Sequence, residues 1–280
     1  MKVNLFDSNF RHSRGQLGFD SASFTKPERM EWVRDNIFWK GVTIFTDEMC
    51  LTSLVDNVKT DLKVAWLMEP PSIKSIANHI KHVQHKFDLI LSYLSPSELQ
   101  IDERKYRWIP SGGAWVKPQE NFSKTKLVSL IASSKKITYG HRLRHEVAEL
   151  VNEKVDLLGG AYKPFDRKED GHNPYMFSVV IENEKFPRFF SEKLLDCFLC
   201  KCVPIYWGAY EIGDIFDNKG ILYFNSSNEI PLILNEINKN LYDKMIESIN
   251  KNYLAAAMIR STDDIIHDLL MRELNSGVNQ

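Results

Sequence analysis

The chain has 280 residues, enough for one large domain or two of ordinary size, and its 43% hydrophobic and 26% charged residues are those of a globular protein. A formal net charge of -1 supplies no global basic field for nucleic acid or an anionic membrane, although local basic clusters could hold a small anion. No apolar run approaches the roughly 20 residues that span a bilayer, and residues 1–20 are too polar for a signal peptide, so a cytoplasmic protein is expected.

In chain order, residues 3–6 read as an opening strand. Pro27 reads as a helix entry, because its missing N–H would be unpaired in a first turn anyway, and that helix is expected to reach about Ile37. Strands follow at residues 42–45 and 63–68, the second closed by Glu69-Pro70-Pro71. Helical spacing covers residues 75–85, and strands are expected at 87–93 and 106–110. Gly112-Gly113 and the polar run 117–126 look like a linker.

A second series then begins. A strand over residues 127–132 leads to a helix from about His141 to Glu153, and a short strand at 155–158 ends in Gly159-Gly160. Residues 175–208 form a βαβ unit: a strand ending in Glu182-Asn183, a loop, a helix opening at Ser191, and a strand Val203-Pro204-Ile205-Tyr206-Trp207 closed by Gly208. Residues 221–224 are a further strand, with helical stretches near 229–250 and 262–274. Alternating β and α elements in both halves predict an α/β protein of two Rossmann-like, parallel-sheet domains facing a central cleft. The expected division is 1–124, 125–258, and a C-terminal helix within 259–280 that packs back on the first domain.

Polar residues at strand and helix ends carry the chemistry, since open parallel sheets bind ligands at the C-terminal ends of their strands. Glu69 ends a buried strand and is stiffened by two prolines, which suits a general base; a solvated loop glutamate is the other reading. Arg142 and Arg144 open a helix after the first strand of the second series, beside Ser133-Ser134 and Lys135-Lys136. Arginine there is either a bidentate phosphate ligand or part of a solvated helix face. Ser191 is a good N-cap, and Glu192-Lys193 after it serve either as capping plus a surface ion pair or as a donor site, with Lys193 on phosphate at the helix start.

Several other constellations carry less. Cys197, Cys200 and Cys202 fall within six residues but lack a matching Cys or His pair at zinc-finger spacing, so with Cys50 they are read as core residues, without disulfides. His79, His82 and His85 spread over too wide a helical arc for one metal, and the two arginines between His141 and His145 would repel a cation. There is no Gly-x-Gly-x-x-Gly, P-loop or Asp-x-Asp motif; Asp263-Asp264 sits in the last helix.

The segment 175–208 resembles the donor-binding motif of the α-1,3-fucosyltransferases, glycosyltransferase family 10. It carries Tyr175-Met176-Phe177, Glu182-Asn183, Phe189-Phe190-Ser191-Glu192-Lys193 and Val203-Pro204-Ile205-Tyr206-Trp207-Gly208 at the family's spacing. The likeness extends more weakly over residues 60–230. It implies the two-domain GT-B fold and an inverting transfer from a nucleotide-diphosphate sugar, usually GDP-fucose, to a glycan hydroxyl. Glu69 would then be the base. Donor contacts would fall on Arg142 or Arg144, on Glu182 and Asn183, and on Phe189, Ser191, Glu192 and Lys193. No metal ligand is implied and no tightly bound cofactor, with a divalent cation at most stimulatory. Where the family has tyrosine and threonine before its Glu-Lys pair, this chain has Phe189 and Ser191, changes that bear on the donor sugar. A transferase using another nucleotide sugar and a nucleotide-sugar-binding protein without turnover are the alternatives.

Overall fold

The computed structural model describes residues 1–7, 21, 23, 26–118 and 122–277. Contacts divide the chain into two compact units, Met1–Gly113 with Ser261–Gln280, and Ala114–Arg260.

The first unit is built on a six-stranded parallel sheet of order β2-β1-β3-β4-β5-β6. Its strands are β1 (Lys2–Phe6), β2 (Glu31–Arg34), β3 (Val42–Thr46), β4 (Leu62–Leu67), β5 (Leu89–Ser92) and β6 (Tyr106–Trp108). The central strands β3 and β5 are buried at every position, as expected when both faces of a parallel sheet are covered. The helix Thr262–Gly277 belongs to this unit, with Ile266 and Leu270 fully buried in one cluster with Val3, Trp32 and Trp66. A buried polar clasp fixes it further. Asp263 accepts hydrogen bonds from Trp32 Nε1 at 2.6 Å and Ser21 Oγ at 2.9 Å.

The helix expected from Pro27 to Ile37 is instead β2, paired in parallel with β1 from Lys2↔Glu31 to Leu5↔Arg34. Burial of Met30 and Trp32 alternates with exposure of Glu31, the period of a strand. Proline at a possible first turn did not outweigh that pattern. Residues 75–85, expected as one helix, are a 3₁₀ turn Ser75–Asn78, a single α-turn Ile80–Val83 and a second 3₁₀ turn Gln84–Lys86.

The second unit carries a five-stranded parallel sheet of order β11-β10-β9-β7-β8. Its strands are β7 (Lys126–Ile131), β8 (Asp156–Leu158), β9 (Tyr175–Ile181), β10 (Val203–Trp207) and β11 (Leu222–Tyr223). All residues of β9 and β10 are buried. Pro204 is tolerated inside β10 because β11 pairs only from Ile205↔Leu222 onward, leaving that flank without a ladder partner. The helical region 229–250 resolves into Ile230–Glu236, Lys239–Lys244 and Ile246–Met258. The expected linker begins differently too. Trp115 and Val116 donate their N–H groups to Asp196 Oδ1 at 2.7 and 3.0 Å, which ties the chain after Gly113 into the second unit.

Asp263→Ala should lower stability by about 2–4 kcal/mol in urea unfolding, because Trp32 Nε1 would lose its buried acceptor.

Candidate functional site

In the second sheet the chain leaves β7 for β8 on one side, and leaves β9 for β10 on the other. The connections after β7 and β9 therefore diverge, and open sheets of this kind bind ligands in the crevice that such a divergence creates. Two segments line it: the start of the helix Tyr139–Val151 after β7, and residues 182–193 after β9.

These segments meet as closely as backbone permits. The Gly140 N–H donates to the Asn183 carbonyl at 3.1 Å. An added Cβ at Gly140 would overlap the Glu182 carbonyl oxygen. One turn on, the buried Arg144 donates from Nε and a terminal nitrogen to the Ile181 carbonyl at 3.0 and 2.6 Å, and to Asn183 Oδ1 at 2.9 Å. Burial lowers its pKa, opposed by the charges of Glu182 and Glu192. Its other terminal nitrogen makes no hydrogen bond among the described residues, so it remains a donor.

Glu182 is fully buried and anchors the loop. Its carboxylate accepts from Ser191 N at 3.0 Å and Ser191 Oγ at 2.6 Å, while its own N–H donates to the Trp207 carbonyl at 2.9 Å. Burial pushes its pKa up, and Lys193 counters that. Gly208 leaves room for it, since a Cβ there would meet Glu182 Cγ at 2.7 Å. Ser191 also caps the helix Glu192–Leu199 by accepting from Lys193 N. Lys193 Nζ donates to Ser191 Oγ at 3.0 Å and Glu192 Oε1 at 2.8 Å, and lies 3.8 Å from Glu182 Oε2. Burial works against both ions of the pair. For Glu192 the cations Lys193 and Lys168 outweigh it and hold the carboxyl down to about 2. For Lys193 the two glutamates outweigh it and raise the ammonium.

Arg144, Glu182, Asn183, Ser191, Glu192 and Lys193 thus stand together. Arg142 does not join them; it is exposed and donates back to the Ile137 carbonyl at 3.0 Å. Two positions apart on a helix point in nearly opposite directions, so only one of the two arginines can face inward. Phe189 is a core residue, 1% exposed, with its ring edge-on to Phe186.

Sequence reasoning missed His141 and Asp196. His141 is buried one turn before Arg144, and its Nδ1 accepts from Thr138 N at 3.2 Å, which leaves the proton of the neutral ring on Nε2. Burial, then the charges of Arg144 and Lys193, lower its pKa to about 4. Asp196, one turn after Glu192, is pushed up to about 6 by burial, with Lys168 and His172 opposing. A charged residue inside the apolar run LLDCFL was the available signal.

All four cysteines are buried and free. Ligand atoms of His172, Cys197 and Cys202 lie within 4.8 Å of one another, but Lys124 Nζ sits 3.4 Å from Cys202 Sγ, where it would repel a cation.

In the first unit, Glu69 follows β4 and is half-buried. Its N–H donates to Asp47 Oδ1 at 3.4 Å, and the two prolines after it open a turn in which Ile73 N donates to the Pro70 carbonyl at 2.8 Å.

No family profile matches the chain, and no curated protein matches it in sequence. Solved structures do match in fold. The Anabaena protein HepE, in complex with UDP-glucose, is 9% identical with a TM-score of 0.64, over 99% of this chain and 100% of that one. An alpha1,3-fucosyltransferase with GDP is 14% identical with a TM-score of 0.55, over 95% of this chain and 88% of that one. TarM is 15% identical with a TM-score of 0.54, over 81% of this chain and 53% of that one. The fold is that of two Rossmann-like domains, the GT-B class. No helix among the described residues is long and apolar enough to cross a membrane.

Two outcomes follow from the seam at Gly140. Gly140→Ala should cost about 2–4 kcal/mol in urea unfolding, since the obstacle is backbone and cannot turn aside. Acidification should also weaken the fold. An unfolded histidine takes up a proton near pH 6.5 whereas His141 resists until about 4, so stability should fall across that window and fall less in His141→Gln.

Proposed function

We propose that this chain is an inverting glycosyltransferase that uses a nucleotide-diphosphate sugar, with GDP-fucose the favoured donor and a glycan hydroxyl the acceptor. The observation that carries the reading is the convergence of Arg144, Asn183, Ser191, Glu192 and Lys193 at the point where the second sheet's connections diverge. All but Arg144 belong to the segment 175–208 that resembles the fucosyltransferase donor motif, and Arg144 lies in the region of weaker likeness before it. The fold shared with an alpha1,3-fucosyltransferase crystallised with GDP-fucose supports it.

In this reading Glu69 removes the proton from the acceptor hydroxyl as its oxygen attacks the anomeric carbon. The bond from that carbon to the diphosphate breaks on the opposite face, and the nucleoside diphosphate leaves with the electron pair. Lys193 and the remaining donor of Arg144 stabilise the charge that builds on the leaving oxygens. Asn183 and Glu192 hold hydroxyls of the nucleotide or sugar. With two side-chain cations meeting the diphosphate, a divalent cation is at most stimulatory, and transfer should persist in EDTA.

A uridine donor is the second reading. Phe189 is buried and lacks the hydroxyl that the fucosyltransferases carry there, and the HepE structure of similar fold holds UDP-glucose.

Melting curves with GDP, UDP, GDP-fucose and UDP-glucose separate the readings. A nucleotide at a hundred times its Kd adds about 2.7 kcal/mol to stability and raises the melting temperature. A shift by guanine nucleotides alone supports the first reading, a shift by uridine nucleotides alone the second, and no shift by any removes both. Glu69→Gln should keep the shift while transfer drops about 10²–10⁴-fold. Lys193→Ala should weaken the shift itself.

A further inference from the structure

The first sheet also has a point of divergence. Its chain leaves β1 for β2 on one side and returns as β3 on the other, so the C-terminal ends of β1 and β3 flank a crevice in this unit. Asp47 is the first residue after β3, and Glu69 follows the neighbouring strand β4. Three costly features gather at Asp47. Its carboxylate has no exposure to solvent. Its backbone is left-handed, with φ of 41°, a conformation uncommon outside glycine, asparagine and aspartate. The hydroxyl of Thr46 beside it is buried without a hydrogen-bond partner.

What Asp47 does with its side chain is specific. Oδ1 accepts the N–H of Met68 at 2.8 Å and of Glu69 at 3.4 Å, holding the backbone from which Glu69 leaves the sheet. Tyr93 OH donates to the Glu69 carbonyl at 3.5 Å. Asparagine would accept the same two N–H groups and tolerates a left-handed backbone at least as well, without burying an ionisable group. The property that aspartate adds over asparagine is a proton it can hold or release.

We propose that Asp47 is a positioning residue for Glu69, fixing the backbone of the candidate base and holding a proton beside it whose loss changes the field at its carboxylate. The inference rests on the reading of Glu69 as the base. Burial, with the charges of Glu69 and Glu48 in support, pushes Asp47 up to about 7, against the backbone hydrogen bonds that lower it. Among the described residues, the groups that face it include Glu48, Cys50, Glu69 and Lys74. Lys74 is itself engaged by Glu48 at 2.9 Å. Near neutrality, Asp47 passes from a neutral neighbour of Glu69 to a charged one.

The test uses the full chain with carbon-13 in its Asp and Glu carboxyls, and needs no acceptor. The NMR signal that Glu69→Gln removes should show a step near pH 7 as Asp47 ionises. That step should vanish in Asp47→Asn and return in Asp47→Glu, which a merely structural role would not produce. Melting supplies a second readout. An unfolded aspartate ionises near 3.8 but Asp47 in the fold only near 7, so the intact protein is penalised progressively across that window. Relative to the intact protein, Asp47→Asn should gain a few degrees in melting temperature between pH 5 and pH 8. The inference is overturned if the Asp47 signal titrates below pH 5, if the Glu69 step survives in Asp47→Asn, or if the melting difference is constant with pH. Loss of transfer in Glu69→Gln reads the parent assignment separately, since neither carboxyl signals nor melting depend on turnover.

Discussion

The second unit's site depends on one buried carboxylate, that of Glu182. It stands at the end of the central strand β9 with no access to solvent, and two hydrogen bonds from Ser191 compensate its burial. Those bonds close the loop over residues 183–190 and place Ser191 where it can cap the helix Glu192–Leu199. The cap then fixes where Glu192 and Lys193 begin. Removing Glu182 would leave the buried N–H and the hydroxyl proton of Ser191 without their acceptor and strip Lys193 of one of its two anionic neighbours. Arg144 does the matching work on the near side, gripping the last carbonyl of β9 and the side chain of Asn183.

The two units solve the same problem with opposite charge. Each exposes the ends of parallel strands where its connections diverge, and each puts a buried side chain there to hold a more exposed residue. In the second unit the holder is a cation, Arg144, and its client is Asn183. In the first the holder is an acid, Asp47, and its client is Glu69. This division fits a reaction that must neutralise a departing anion and remove a proton, the two tasks assigned to the proposed transferase.

How much of this could be read from the amino acids depended on distance along the chain. Glu182, Asn183, Ser191, Glu192 and Lys193 lie within one loop and helix start, so the resemblance of a single short segment grouped them, where the residues taken alone left two readings open. The choice between Arg142 and Arg144 could not be read that way, because both sit at one helix start and only packing against β9 decides which faces inward. Asp47 was invisible because its partner lies at the end of the neighbouring strand, 22 residues on. The strand β2 was mistaken for a helix because a local signal, Pro27, was weighed above the alternation of Met30 and Trp32 that tertiary burial selects. The central strands of both sheets were legible, since burial on both faces makes them continuous apolar runs.

The pairing of Lys193 with Glu192 has a further consequence for which anions the site admits. At rest Lys193 is matched by carboxylates, and a guest offering only negative charge that draws Lys193 from its 2.8 Å contact with Glu192 leaves that carboxylate facing it. Free phosphate gives nothing back for this. A guest that brings hydroxyls as well as phosphates gives Glu192 a new partner as it takes Lys193. In the proposed donor site the ion pair would therefore favour a guest that carries hydroxyls beside its phosphates over a simple anion.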